Sequence, residues 1–149
     1  MPSAAIDKEE QWAVVLALFI LAQLGETKPK RAKVLRFIKS RGLVRFKEGD
    51  FVLRSDGEEK WMNDFSWARK DVKESGLLAM PEFGHWQLTE RGREKLLALA
   101  KKWTAGYEKD HSLSTNLIAE CQRLNDHFFA CMVCLGRGID ITKIPNVVL

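Results

Sequence analysis

From Lys60 to Leu97 the sequence reads KWMNDFSWARKDVKESGLLAMPEFGHWQLTERGREKLL. It predicts a helix, a tight β-hairpin and a second helix with almost no spacer, an order that few folds accommodate. Trp61, Phe65, Ala68 and Val72 recur at spacings of four, three and four, which places them on one helical face. Asp56 with Gly57 is expected to cap the start of this helix, and Glu58 and Glu59 lie where the helix dipole favours negative charge. Gly76 follows the last periodic residue, as a left-handed C-terminal cap does. Leu77 to Met80 reads as a strand, Pro81-Glu82-Phe83-Gly84 as a turn and His85 to Leu88 as the return strand. Thr89 is a good N-cap for a helix from Glu90 to Lys102, whose apolar residues are Leu96, Leu97, Leu99 and Ala100.

Two more helices precede this run. Lys8 to Leu24 is apolar on nearly every side between Trp12 and Leu21, so it is expected at the centre of the fold. That apolar stretch is shorter than the roughly 20 residues of a membrane span. The acids before it, Asp7, Glu9 and Glu10, have the wrong sign for a signal peptide. Lys28 to Arg41 reads as a second helix with Val34, Leu35 and Ile38 inward, Pro29 in its first turn and Gly42 at its end. Leu43 to Arg54 reads as an ordered connection with a short strand near Phe51 to Leu53. The expected fold is mainly α with a small β-wing: a winged helix-turn-helix over residues 8–103, followed by a C-terminal helical extension over residues 104–149.

The same residues carry a resemblance. Trp67-Ala68-Arg69, then Val72-Lys73-Glu74-Ser75-Gly76-Leu77-Leu78, then Gly84-His85-Trp86-Gln87-Leu88-Thr89-Glu90-Arg91-Gly92 resemble the N-terminal domain of Mrr-type restriction proteins. That pattern combines a tryptophan-alanine pair, a helix ending in glycine-leucine, and a Thr-Glu-x-Gly run. The resemblance covers about residues 10–103. It implies a winged helix that presents modified DNA to a separate nuclease domain, and hence a role in restriction or defence. The last third of the chain has no counterpart in it.

Charge points the same way. From Lys28 to Lys47 the chain has nine basic residues (Lys28, Lys30, Arg31, Lys33, Arg36, Lys39, Arg41, Arg45 and Lys47) and no acid. The whole chain has a net charge of only +4, so the remainder is net acidic. A concentrated basic block on such a background fits phosphate binding. Its bland alternative is a solvated helix face.

On the third helix, a rotation of about 100° per residue turns Asn63, Ser66, Trp67 and Lys70 outward when the apolar four face the core, with Lys73 beside them. Asn bonds an adenine edge, Ser any base edge, and Lys guanine or phosphate. Trp67 has two readings: stacking on a base or an added methyl group, or packing under the tail or the Leu43–Arg54 connection. On the hairpin, alternation puts Trp86 in the core and His85 outward, near phosphate. Arg91, with Arg93, can add backbone contacts at the start of the last helix. The DNA-binding set is therefore Lys28, Lys30, Arg31, Arg45, Lys47, Asn63, Ser66, Trp67, Lys70, Lys73, His85 and Arg91.

The C-terminal third changes character. Thr104-Ala105-Gly106 reads as a helix break, and Asp110 to Leu135 as a further helix. There Leu117, Cys121, Leu124, Phe128, Cys131 and Leu135 form a heptad-like stripe that suits homodimerisation. His127, Cys131 and Cys134 share a face, but ligands from one continuous helix do not readily close a tetrahedron, so buried cysteines are expected and no metal. Three cysteines without a secretion signal fit a reducing cytoplasm. Glu58-Glu59-Lys60 opens a helix instead of lying on the strands that nuclease carboxylates need, and no phosphate loop or nucleophile elbow appears.

The chain is thus expected to bind double-stranded DNA as a homodimer, without cofactor or catalytic residues of its own and without membrane contact. Any cleavage would come from a separate nuclease subunit. The alternatives are a protein–protein adaptor for a nuclease or methyltransferase, and a dimeric transcriptional regulator.

Overall fold

Every residue from Ala13 to Leu21 is buried, so α1 (Glu9–Gln23) has no solvent face along that stretch. A helix apolar all round must be wrapped, and α1 is packed by α2 (Arg31–Arg41), α3 (Lys60–Glu74) and α4 (Glu90–Asp110). The structure, a computed structural model, describes residues 8–110 and 127–143. It is mainly helical with one two-stranded antiparallel sheet, β1 (Leu78–Ala79) and β2 (Gln87–Leu88). The remaining elements are α5 (His127–Gly136) and two short 3-10 turns, Glu48–Phe51 and Ile141–Lys143.

α2 begins later than the sequence predicts. Lys30 is extended, and Lys28 to Lys30 run beside the hairpin instead of forming a first helical turn. Lys30 forms an antiparallel bridge with His85, Trp86 N–H donates to the Pro29 carbonyl at 2.9 Å, and Arg31 N–H donates to the Gly84 carbonyl at 3.1 Å. Proline disfavours a helical residue before it, so Lys28 is biased towards extended backbone. The hairpin thus gains one isolated bridge to the segment before α2.

α3 also starts late, at Lys60. Asp56 caps a turn and not the helix: its Oδ1 accepts the Glu58 N–H at 3.0 Å. That turn closes a small loop in which Leu53 bridges Glu59 and Lys60 N–H donates to the Val52 carbonyl at 2.9 Å. The strand expected at Phe51–Leu53 shrinks to the single bridge at Leu53, because Phe51 ends a 3-10 turn and packs on Phe46 at a ring distance of 5.6 Å. Within α3 the apolar face is as predicted, with Trp61, Phe65, Ala68 and Val72 all buried.

The hairpin pairs Leu78 with Leu88 and Ala79 with Gln87. Thr89 then starts α4 as expected, accepting the Gly92 N–H at 3.0 Å through its hydroxyl oxygen.

α4 crosses Thr104-Ala105-Gly106 without a break. One helical glycine costs about 1 kcal/mol. That is outweighed here by packing on both sides of it: Trp103 meets Phe128 edge-on at 5.5 Å, and Tyr107 meets Phe129 at 5.7 Å. The buried Thr104 hydroxyl lies 2.8 Å from the Ala100 carbonyl oxygen and 3.1 Å from that of Val133. α5 therefore lies along α4 within the chain, with Phe128, Cys131 and Cys134 buried. Of the expected heptad stripe, Leu117, Cys121 and Leu124 lie outside the described residues. The rest is packed within the chain, where Phe128 and Cys131 are buried and Leu135 is half-buried.

Candidate nucleic-acid interface

The core-facing positions of α3 leave an outward face carrying Asn63, Ser66, Trp67, Lys70 and Lys73. Asn63 and Ser66 are half-buried, whereas Lys70 and Lys73 are exposed. Trp67 is 60% exposed, so it is not packed beneath the Leu43–Arg54 connection. The Lys70 ammonium lies 5.4 Å from the centre of the Trp67 ring, and 4.0 Å from Glu74. A flat aromatic surface and a cation thus sit one turn apart at the middle of the helix.

Arg31 joins this face to the wing. Its guanidinium reaches the Ser66 hydroxyl through Nε at 3.3 Å and Nη2 at 3.1 Å, and Nη2 also donates to Glu58 at 2.6 Å and to the Met62 carbonyl at 3.3 Å. Its own backbone N–H is held by Gly84 in the wing. One residue therefore fixes the hairpin relative to the outward edge of α3. Arg31 and Ser66, both expected to meet DNA, are engaged with each other. The spacing of 35 residues between them carries no local sequence signal.

The wing turn is tightly held. His85 N–H donates to the Glu82 carbonyl at 3.1 Å, and Gly84 has a φ of +79°, as at the third position of a type II turn. The His85 ring is half-buried, with Nδ1 2.9 Å from the Lys28 carbonyl oxygen and Nε2 3.8 Å from the Glu82 carboxylate. Lys28 and Lys30 are exposed beside it. Phe83, in the second position of the turn, is 101% exposed. In the sequence, Pro81–Gly84 reads only as a turn. A bulky apolar residue where turns favour polar or small ones was the available signal.

The basic block does not form one surface. Lys28, Lys30 and Arg31 belong to the wing side. Lys33 is paired with Glu26 at 2.6 Å, and Lys39 lies over the Phe51 ring at 5.2 Å. Arg45 and Lys47 sit at the opposite flank of α3, lining a hollow with Glu9, Glu10, Asp50 and Asp64. Further along that flank are Asp71 and Glu10, where Asp71 accepts the Gln11 side-chain amide at 3.0 Å. One side of α3 is thus acidic and the other faces the cationic wing. Arg91 lies elsewhere, at the C-terminal end of α3, with its stem over Gly76.

The family model described as Mrr N-terminal domain matches residues 15–98, more than half of the chain. The chain belongs to the Mrr N-terminal domain family. Neither the comparison with curated proteins nor that with solved structures gives a match. The family match relates the chain to restriction systems.

The Mrr N-terminal match spans most of α1, then α2, α3, the wing and the first part of α4, and it includes the Thr-Glu-x-Gly run at residues 89–92. The geometry gives that run a physical reason. The Thr89 hydroxyl donates to the Gly76 carbonyl at 2.7 Å while accepting the Gly92 N–H, so one side chain ties the end of α3 to the start of α4. A β-carbon on Gly92 would overlap the Leu77 carbonyl oxygen and the Leu88 side chain. The Mrr-type run thus sets the angle at which α4 leaves the wing. Among the described residues, no helix is long and apolar enough to cross a membrane.

Proposed function

We propose that this Mrr N-terminal domain binds double-stranded DNA, laying the outward face of α3 against base edges and the wing against phosphates. Asn63 and Lys70 read bases, Trp67 stacks or meets an added methyl group, and Lys28, Lys30 and Lys73 contact the backbone. Arg31 carries the reading: it locks the cationic wing and the Asn63–Lys70 face into one unit. Arg31 and Ser66 then act by holding that unit together. The acidic flank of α3 limits the footprint to the wing side, away from Arg45 and Lys47.

The chain works as a reader in a restriction or defence system and does not itself cut. A separate nuclease subunit supplies cleavage. Homodimerisation through the C-terminal helix rests on the sequence stripe. Of that stripe, Phe128 and Cys131 are buried within the chain. The test is binding selection from a random duplex pool, run with and without adenine and cytosine methylation. Enrichment that depends on methylation supports a modification reader. Enrichment of one palindrome regardless of methylation supports a transcriptional regulator, and no enrichment removes the DNA reading.

A second reading has its own observation. Val52 and Leu53 are 61% and 68% exposed on the loop before α3, next to the partly exposed Phe51. Contiguous exposed apolar residues mark protein contacts. This favours an adaptor that docks a nuclease or methyltransferase subunit. Such an adaptor gives no duplex binding at low salt.

A further inference from the structure

Phe83 has no structural duty. Its side chain is wholly in solvent, and the turn that carries it is closed by backbone bonds and Gly84 without it. The turn is also rigid, since Gly84 is tied to Arg31, His85 to Lys28 and Trp86 to Pro29. An aromatic ring is therefore presented at the end of a stiff support, with little ordering left to lose on binding. The segment paired with this turn carries the exposed cations Lys28 and Lys30, and the turn itself carries Glu82, whose carboxylate lies by the His85 ring. A lone aromatic among cations is too small an apolar surface for a stable protein interface, which needs about 1,000 Å². It matches a partner that has stacked rings inside and phosphates outside.

We propose that Phe83 is a wedge that enters the minor groove of duplex DNA and partly unstacks one base step, while Lys28 and Lys30 hold the phosphates on either side. This rests on the DNA-binding reading and adds to it a deformation of the duplex. Apolar wedges of this kind kink DNA by tens of degrees towards the major groove, which would wrap the duplex against α3. Flexible pyrimidine–purine steps are then preferred at the wedge, a specificity made without hydrogen bonds to bases.

The test uses the full chain and a mixed-sequence duplex of about 30 base pairs, with a donor dye at one end and an acceptor at the other. Binding is followed by anisotropy and bending by energy transfer. The wild-type protein is expected to raise transfer at saturation. F83A is expected to bind roughly tenfold more weakly, with an unchanged salt slope and no rise in transfer. F83L, which keeps an apolar wedge, restores most of the rise. A straight duplex under the wild-type protein, or equal transfer with F83A, overturns the wedge and leaves DNA binding standing. If F83A fails to saturate, F83L decides: restored transfer supports the wedge, and failure to restore it overturns it. No binding by the wild-type protein overturns both readings. Phe83 touches no core, so F83A should unfold at the wild-type temperature.

Discussion

Arg31 reaches across from the start of α2 to place two of its nitrogens, Nε and Nη2, within 3.3 Å of the Ser66 hydroxyl on α3. The same residue anchors the wing through its backbone N–H to Gly84. The bond to Glu58 makes this a charge-assisted network, but Arg31 is one-third exposed, so solvent screens it. Arg31→Ala should therefore cost only about 1–2 kcal/mol of stability in urea unfolding. Its larger effect should fall on duplex binding, through a wing no longer fixed to α3. Arg31→Lys should not rescue it, since an ammonium cannot span Ser66, Glu58 and the Met62 carbonyl at once. Full binding by both variants would show that the wing does not depend on this contact.

Two glycines in α4 should respond in opposite ways. Gly92→Ala pushes a methyl group into the Leu77 carbonyl and should destabilise by about 2–3 kcal/mol. Gly106 is exposed and helical with open space around its β-position, so Gly106→Ala should stabilise by about 0.5–1 kcal/mol. Urea midpoints measured side by side check both signs. Equal effects would mean that the α3–wing–α4 junction is looser than its geometry.

The tail contact is also testable by truncating one ring. Phe128 is buried and meets Trp103 edge-on, so Phe128→Ala should cost about 3 kcal/mol and leave the subunit count unchanged. Thermal unfolding and sedimentation separate the two effects. A change in assembly with no loss of stability would place Phe128 at a seam between copies.

Much of this was legible because local rules dominate. The spacing of Trp61, Phe65, Ala68 and Val72 determined which face of α3 is buried, and Thr89 and Gly76 marked helix ends by chemistry that needs no distant partner. Sequence pattern and structure differ where a distant contact competes. Pro29 looked like a helical first turn but pairs with Trp86, and Asp56 looked like a helix cap but closes a loop set by Leu53 and Glu59. Gly106 looked like a break, yet rings from α5 hold α4 straight through it. The outward face of α3 was also readable. The division of the basic block was not, because charge along a sequence does not say which side of α3 each cation reaches. Arg45 and Lys47 end up beside Asp50 and Asp64, across the helix from Lys28 and Lys30.

That division predicts unequal roles for lysines that look alike. Lys47→Ala should change duplex affinity by less than about twofold, because its surroundings are acidic and repel phosphate. Asn63→Ala with Lys70→Ala should instead weaken binding to the selected sequence by at least about tenfold while leaving the fold intact. Competition binding against a mixed-sequence duplex checks both. A strong effect at Lys47 would move the footprint to the other flank of α3.

The decisive measurement is the salt dependence of duplex binding by the full chain, followed by anisotropy between about 50 and 200 mM salt, with and without the Lys28→Ala and Lys30→Ala pair. Binding through the wing and α3 predicts a linear fall of log K with log salt, made shallower by about 2 when the two wing lysines are removed. Duplex binding that is absent at the lowest salt, or a slope that the lysine pair does not alter, would contradict it.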